Sequence, residues 1–461
     1  MRSLRSLPRR LPQLARAPRR SLCTARLSDL ELENARLREE IARLRQPTRP
    51  TGESTLFVGA KSSYTTSMDF WYPHVDNVPA AMPCFRIMDD LGRVVPGAEA
   101  HVPALSREHA LACMHTMLRV NEFDKIFLDA QRQGRISFYL TGRGEEGATV
   151  GSAAALQPDD WVLPQYRELG VFFWRGFTFQ EVANQLCATA HDPAHGRQLP
   201  LHIGSKERCI LYVKSTLATQ APHATGVALH MKRTRQPRIS IAYFGEGTAS
   251  HGDIPSALNI AAVHGSPMIF FCRNNGYAIS TNAKDQYRSD GIAPRGPAFG
   301  LPTIRIDGND LLAVVAATKK ARDICLNEGR PCLIEAMTYR IGAHSTSDDD
   351  TKYRTRDAPI EGWDSERAFW EARSPIIRFG RYLASRGWWN TQMEDYLRTQ
   401  ARRDAIASLN VASQAPRPAA VHMFTDVYDK LDWNGEQQRA ALREHFERYP
   451  EHYSEWSREG L

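Results

Sequence analysis

One acidic and one amide side chain follow two neighbouring apolar segments, at positions where they could bind a metal ion together. Glu246 lies in a Gly-Glu-Gly turn directly after residues 237–244 (PRISIAYF), and Asn275 follows residues 268–272 (MIFFC). Carboxylate and amide oxygens suit Mg²⁺, a hard cation that usually shares its coordination sphere with substrate phosphates. The two residues therefore predict a metal site for a phosphorylated ligand.

The elements around these residues would bring them to one place. The two apolar segments are rich in β-branched and aromatic residues, which is typical of buried strands, and residues 253–263 (DIPSALNIAAV) between them fit a helix. A strand–helix–strand crossover makes the two strands parallel, so both end at the ligand-binding edge of an α/β sheet. A glycine turn or an Asn-Gly pair alone is explained by turn chemistry, whereas their coincidence favours a site.

Composition excludes several classes of protein. The chain has 461 residues, 42% hydrophobic and 24% charged, as in globular proteins of roughly two to three domain-sized units. No apolar run approaches the roughly eighteen residues of a membrane span, so no membrane span is predicted. The eight cysteines include no C-x-x-C pair, so neither a zinc site nor a disulfide framework is indicated.

The charge is concentrated at the N-terminus. Residues 1–28 carry eight arginines and no acid, together with serine and threonine, which is typical of a mitochondrial transit peptide. Without these arginines the formal net charge changes from +7 to −1, so no nucleic-acid-binding surface is expected. The mitochondrial matrix is the expected location, and a basic tail is the alternative explanation.

The remaining chain divides into four predicted regions. Residues 29–45 have apolar residues at heptad spacing and predict a short amphipathic helix, and residues 46–105 resemble an extended N-terminal arm. A long helix is predicted between Ser106, as N-cap, and Gly134. Within a domain of residues 106–400, the stretch 145–345 alternates apolar strands and helical segments, which predicts an α/β fold with a doubly wound parallel sheet and helices on both faces. Residues 401–461 form a helical C-terminal segment, with residues 413–418 (SQAPRP) as a linker.

The spacing of the two motifs also resembles a known pattern, the thiamine diphosphate motif GDG followed about thirty residues later by NN, with Glu246 replacing Asp. Further stretches resemble one family, and they are 144–147 (GEEG), 165–168 (QYRE), 217–220 (LATQ), 272–281 (CRNNGYAIST) and 339–349 (YRIGAHSTSDD). Over about residues 60–460 the chain resembles the α subunit of the thiamine-dependent decarboxylase component of the branched-chain 2-oxo acid dehydrogenase complex. Pyruvate dehydrogenase α subunits share the GDG…NN frame but typically differ in the last two stretches.

The resemblance implies a thiamine diphosphate fold and specific site residues. Mg²⁺ would be held by Glu246, Asn275 and the backbone carbonyl of Tyr277. His344 would be the catalytic residue, for proton transfer or stabilisation of an intermediate. The residues implied to contact the cofactor are Tyr166, Arg167, Ser215, Leu217, Gly247, Thr248, Arg273 and His344.

The resemblance also implies an activity and partners. The reaction is oxidative decarboxylation of branched-chain 2-oxo acids with acylation of lipoyl groups on an acyltransferase core, as in 3-methyl-2-oxobutanoate dehydrogenase of branched-chain amino-acid catabolism. A β subunit would supply the glutamate beside the aminopyrimidine ring, so the chain would act only in an α2β2 heterotetramer. Ser345 matches a regulatory phosphoserine, and Thr355 lies where a second site is usually serine, which implies a kinase and a phosphatase.

The sequence departs from the family in two loops. The family's potassium site would use Lys214, Thr216, Thr219 and Gln220, where Lys214 replaces a usual serine and Thr216 a usual proline. Either the Lys214 ammonium takes the position of K⁺, or it points outward and K⁺ still binds. Ala343 replaces the first of two adjacent histidines, which puts the pH profile in doubt.

Two other functions remain open. One is an α subunit that acts on pyruvate or another short 2-oxo acid, because the β subunit shapes part of the acyl pocket. The other is a catalytically silent scaffold that binds a diphosphate and tethers partners. The presence of Glu246, Asn275, Arg167 and His344 together argues against the scaffold, which has no need of all four.

Overall fold

The computed structural model describes residues 31–38, 81–355 and 357–461. The chain divides into two compact units, Met1–Ala80 and Ala81–Leu461. In the first unit residues 31–38 are helical (α1) with exposed side chains. They lie within the predicted amphipathic helix at 29–45. The rest of that helix, the predicted transit peptide at 1–28 and the predicted arm up to residue 80 lie outside the described residues.

The second unit contains a central sheet of six strands within the described residues. Their bounds are Cys84–Phe85 (β1), Trp161–Leu163 (β2), Ser240–Gly245 (β3), Met268–Asn274 (β4), Thr303–Asp307 (β7) and Cys332–Met337 (β8), and a hairpin pairs Tyr277–Ala278 (β5) with Thr281–Asn282 (β6). The spatial order is β1-β7-β8-β4-β3-β2, and every neighbouring pair is parallel. The predicted parallel sheet is confirmed.

Helices cover both faces of the sheet. Their bounds are Arg107–Arg132 (α2), Glu146–Ala155 (α3), Leu169–Trp174 (α4), Phe179–Leu186 (α5), Gln220–Arg233 (α6), Asp253–His264 (α7), Ala283–Gln286 (α8), Arg295–Ala298 (α9), Leu311–Asn327 (α10), Glu366–Ala372 (α11), Pro375–Ser385 (α12), Thr391–Gln414 (α13) and Trp433–Arg448 (α14). Successive residues of a strand point to opposite faces, so Ile241 and Tyr243 of β3 pack with one apolar cluster while Ala242 and Phe244 pack with another.

The crossover from β3 through α7 to β4 sets the position of the predicted metal ligands. β4 is buried along its whole length, and β3 up to its last residue, which explains their continuous apolar sequence. Helix α7 ends at His264, where Gly265 adopts φ +56 and closes the helix in the left-handed conformation. The strand register pairs Gly245 with Arg273, so both strands end at the same edge, as predicted.

Local capping explains the long helix α2. The Ser106 side chain accepts a hydrogen bond from the amide of His109 at 3.2 Å, which satisfies one of the free donors of the first turn. Gly134 follows the helix with φ +75. Both predicted ends of this helix are therefore confirmed.

Residues 81–105 were expected to end an extended arm, but they are part of the second unit. Ile87 and Met88 are fully buried, and both backbone amides donate to Asp310 Oδ2 at 2.6 Å. Residues 84–85 add the edge strand β1 beside β7. Only a two-residue strand and single buried side chains hold this segment in place, so its sequence shows no hydrophobic periodicity.

The C-terminal region is helical, as predicted, but its predicted boundary at residues 400–401 lies inside α13. This helix packs against α2 and α5 through Ala401, Ala405 and Leu409, which are buried. It ends at Gln414, and Ala415 is extended, which agrees with a linker near residues 413–418. Among the described residues, no helix is both long and apolar enough to cross a membrane.

Candidate cofactor site

Glu246 lies directly after β3 at the edge of the sheet, and it is 1% exposed. Its Oε2 accepts a hydrogen bond from the backbone N–H of Asn275 at 3.3 Å, while Oε1 has no hydrogen-bond partner among the described residues. Burial, together with the nearby Glu145 carboxylate, raises the pKa of Glu246 to about 7. A buried carboxylate with a free oxygen fits a cation ligand.

Asn275 is buried beside Glu246 and is held by hydrogen bonds on both sides of its amide. Its Nδ2 donates to Glu145 Oε1 at 2.8 Å, and its Oδ1 accepts from the backbone amide of Tyr277 at 3.2 Å. The side chain therefore has a defined orientation, in which Oδ1 faces the backbone amide of Tyr277 and Nδ2 faces Glu145.

The hairpin after β4 brings the Tyr277 backbone to the site. Gly276 turns the chain with φ +85, and β5 and β6 then pair antiparallel. A Cβ at Gly247 would overlap with the side chain of Ala278, so glycine at 247 permits the hairpin to pack against the turn that carries Glu246. Thr248 begins a 3₁₀ helix (Thr248–Ser250) rather than α7, which starts at Asp253.

Arg273 is clamped by two buried carboxylates. Its Nη1 donates to Glu145 Oε2, and its Nη2 forms an ion pair with Glu168 Oε1 at 2.8 Å. Burial alone would raise the pKa of Glu145, but the Arg273 and Arg167 guanidinium groups hold it below its usual value. Nε of Arg273 has no partner within the described part of the chain, so one donor remains for an anion.

The loop after β2 contributes Gln165, Tyr166 and Arg167. Gln165 connects two segments of the site, because its Oε1 accepts from the Gly245 amide at 2.8 Å and its Nε2 donates to Thr248 Oγ1 at 2.9 Å. Arg167 donates to the carbonyls of Thr141 at 2.6 Å and His344 at 2.5 Å. In this arrangement Arg167 therefore anchors the loop that carries His344.

His344 lies in an irregular loop that faces Tyr166. Its Nε2 is 3.3 Å from the Tyr166 hydroxyl, and its backbone amide donates to Asp348 Oδ2 at 2.7 Å. Burial and the positive charges of Arg167 and Arg340 lower the pKa of His344 to about 3. The imidazole is therefore neutral near pH 7, with one nitrogen able to accept a proton.

The two predicted phosphorylation positions have different surroundings. Ser345 is half-buried next to His344, in a loop that is held by Thr346, whose backbone amide donates to the Tyr139 carbonyl at 3.1 Å. Asp348 also accepts from the Tyr353 hydroxyl, which joins the two ends of the loop. Thr355 is exposed.

The other predicted residues lie in the segment before α6 and at the first residue of that helix. Ser215 shares a hydrogen bond with His202 Nε2 at 2.7 Å, and Leu217 is 42% exposed, so its apolar side chain is open to a ligand or partner. Thr219 Oγ1 donates to the Thr216 carbonyl at 2.9 Å, and Gln220 Nε2 donates to the Tyr243 carbonyl at 3.0 Å.

Lys214 is exposed, and no hydrogen bond or ion pair of its ammonium group occurs with residues that the structure describes. Ala218, four residues further along the chain, has φ +69, a left-handed backbone conformation. This position of Lys214 favours the alternative in which the lysine points outward. Whether K⁺ binds there stays a prediction.

Three residues of the site were not predicted individually. Glu145, Glu168 and Gln165 orient the Arg273 and Asn275 side chains and the Gly245 amide, although each lies in a stretch that carried the family resemblance. The signal available in the sequence was the adjacent pair of acids in GEEG. The partners of Glu145 depend on the approach of this residue, just before α3, to Arg273 of β4 and to Asn275 after it, which sequence spacing does not reveal.

Residues 114–421 match the family model described as dehydrogenase E1 component. The chain is 44% identical over 398 residues to the mitochondrial 2-oxoisovalerate dehydrogenase subunit alpha of Mus musculus, covering 86% of this chain and 87% of that protein. The protein of the same name from Caenorhabditis elegans is 45% identical over 394 residues (85% and 88%), and subunit alpha 1 from Arabidopsis thaliana is 43% identical over 398 residues (86% and 82%). The chain belongs to the dehydrogenase E1 component family, whose members depend on thiamine diphosphate.

Proposed function

We propose that this chain is the α subunit of a thiamine diphosphate-dependent 2-oxo acid dehydrogenase that acts on branched-chain substrates such as 3-methyl-2-oxobutanoate. The observation that carries the proposal is the buried Glu246 carboxylate with a free oxygen, next to Asn275 and Tyr277 at one edge of the sheet. The similarity to mitochondrial 2-oxoisovalerate dehydrogenase α subunits supports the substrate class and a mitochondrial location.

The residues present fit Mg²⁺ bound to a diphosphate. Glu246 Oε1, Asn275 Oδ1 and the Tyr277 carbonyl would supply three oxygen ligands, which leaves room for phosphate oxygens and water. Tyr166, Arg167 and Arg273 would face the diphosphate, with the free Nε of Arg273 as one donor. When bound, thiamine diphosphate supplies an electron sink for decarboxylation.

His344 would transfer a proton at the substrate. Its neutral imidazole can accept a proton at one nitrogen, and the Tyr166 hydroxyl and the Asp348 carboxylate fix its orientation through side-chain and backbone contacts. The Arg167 contact to the His344 carbonyl would connect the position of this loop with the diphosphate. Burial of the ring and the nearby guanidinium groups keep it neutral near pH 7.

The site would be completed by a β subunit in an α2β2 assembly. A subunit named alpha in the related dehydrogenases implies such a partner, and the described part of this chain carries one parallel α/β sheet with one diphosphate-type edge. The acyl group would then pass to a lipoyl group on an acyltransferase core. Residues 1–28 would direct the chain to the mitochondrial matrix.

Phosphorylation would regulate activity at Ser345, with Thr355 as a second position. A phosphate adds a charge of about −2 close to His344 and Asp348, and its repulsion from the Asp348 carboxylate would disrupt the loop.

A monovalent ion such as K⁺ would bind the loop formed by Thr216, Thr219 and Gln220.

Decarboxylation of 3-methyl-2-oxobutanoate tests the function, measured for this chain with and without a co-expressed β subunit and with Mg²⁺ and thiamine diphosphate. Activity that requires the β subunit supports the proposal. Faster turnover of pyruvate would assign the chain to the pyruvate class. Inactivity on both substrates in both states would favour the silent scaffold.

A further inference from the structure

We propose that Glu145 is a positioning residue, whose carboxylate fixes the Asn275 amide so that its oxygen faces the metal position. This inference rests on the proposed function of the same site. Glu145 is 1% exposed, and its Oε1 accepts from Asn275 Nδ2 at 2.8 Å.

The chemistry of the two side chains selects one orientation of the Asn275 amide. An asparagine amide has an NH₂ donor on one side and a carbonyl oxygen on the other, and rotation by half a turn exchanges them. An ionised carboxylate only accepts hydrogen bonds. With Glu145 on one side, the rotated amide would place two acceptors against each other in a buried site, so the observed orientation is selected.

Glu145 itself is held in place by a row of buried charges. Arg273 Nη1 donates to Glu145 Oε2, and Glu168 pairs with the other side of the same guanidinium. Glu145 is the residue immediately before α3, and Arg273 lies on β4, so the row connects the start of the helix to the end of the strand. The position of the Glu145 carboxylate beside Asn275 is thus set by both the start of α3 and the end of β4.

Glu145 is a positioning residue rather than a metal ligand, because both of its oxygens are already used. Oε1 accepts from Asn275 and Oε2 from Arg273, whereas Glu246 retains a free oxygen. Hydrogen-bonded partners of metal ligands typically change metal affinity by about 10–100-fold when they are replaced.

The test uses the α/β complex and measures the thermal shift produced by thiamine diphosphate as a function of Mg²⁺ concentration. Glu145→Gln can present its own NH₂ group to Asn275, so position 145 no longer rejects the rotated amide and only the Tyr277 backbone N–H still favours the observed orientation. We expect the half-saturating Mg²⁺ concentration to rise about 10–100-fold. Glu146→Gln is the matched control, since this adjacent buried carboxylate contacts Asn121 and Gly144 and not Asn275.

A charge exchange makes the test specific. Asn275→Asp alone places two carboxylates together. It should raise the half-saturating Mg²⁺ concentration further than Glu145→Gln does. The double variant Asn275→Asp/Glu145→Gln restores an amide–carboxylate contact with reversed polarity and should bind Mg²⁺ better than Asn275→Asp. This pair provides the same test if Glu145→Gln alone does not assemble.

Three results would overturn the inference. The first is an unchanged Mg²⁺ dependence in Glu145→Gln, the second an equal shift in Glu146→Gln, and the third a double variant no better than Asn275→Asp. Failure of the proposed function is distinguishable, because the wild-type complex itself would then show no Mg²⁺-dependent stabilisation by thiamine diphosphate.

Discussion

The sheet edge that carries Glu246 and Asn275 differs from the loop that carries His344 and Ser345. At the edge, each side chain follows a buried strand and is fixed by buried carboxylates and amides. In the loop, residues 341–349 have no regular structure and lie half-buried or exposed for the most part, and they are held by a few hydrogen bonds.

The comparison indicates a division of tasks between the two regions. A metal and a diphosphate need ligands at fixed distances, which strand ends in a packed sheet supply. Proton transfer and regulation need a group that can be reached and displaced, which a surface loop supplies. Arg167 connects the two regions, because it lies with the cofactor residues and donates to the His344 carbonyl.

Removing the charge of Glu246 should have the largest effect. In Glu246→Gln the buried anion that faces the metal is lost, so we expect activity of the α/β complex to fall about 100-fold or more. Replacing a residue that only hydrogen-bonds to a metal ligand already lowers metal affinity or activity by about 10–100-fold. Mg²⁺-dependent cofactor binding, measured by calorimetry, should fall in parallel. Asp253→Asn, which changes a partly exposed carboxylate in the first turn of α7, is the control, and an equal loss there would contradict the assignment.

Replacing His344 should affect turnover and leave the cofactor bound. In His344→Asn the group that exchanges protons is missing, so we expect kcat to fall roughly 10²–10⁴-fold. The Mg²⁺-dependent thermal shift should stay close to wild type, because the edge residues are intact. A large loss of cofactor affinity in this variant would mean that the two regions do not act separately.

Charge added to the loop should distinguish its two predicted phosphorylation positions. Ser345→Glu places a carboxylate beside His344 and Asp348, so we expect activity to fall roughly tenfold through like-charge repulsion. Thr355→Glu, at an exposed position, should change activity little, and Ser345→Ala controls for loss of the hydroxyl. Equal inhibition by both glutamates would contradict a local effect at His344.

The pH dependence of stability should report on His344. Its imidazole takes up a proton near pH 6.5 in the unfolded chain and only near pH 3 in the folded chain. The unfolded state therefore binds more protons between these values, and the free energy of unfolding falls as the pH decreases from 6.5. Thermal unfolding at pH 7.5 and 5.5 should show a smaller loss in His344→Asn than in wild type, and an identical loss would contradict the lowered pKa.

The smallest effect is expected at Lys214. Because its side chain is exposed, Lys214→Met should change the free energy of unfolding by no more than about 0.5 kcal/mol. Stabilisation by K⁺, measured by thermal unfolding, should be the same in both proteins. Stabilisation by K⁺ that appears only in the variant would show that the ammonium group takes the position of the ion.

The edge could be predicted from sequence because its signals are local. Continuous apolar strands, a helix of fitting length and a polar residue after each strand follow directly from residue order, and the register of Gly245 with Arg273 agrees. Glu145 and Gln165 were not predicted individually, since their roles depend on contacts between segments about 80–130 positions apart. The edge strand at residues 84–85 was missed because two residues carry no pattern.

The metal site can be located by anomalous diffraction from crystals of the α/β complex grown with thiamine diphosphate and Mn²⁺ in place of Mg²⁺. We expect a metal peak at roughly 2.0–2.2 Å from Glu246 Oε1, Asn275 Oδ1 and the Tyr277 carbonyl oxygen. A peak elsewhere, or cofactor bound without metal at Glu246, would contradict this assignment.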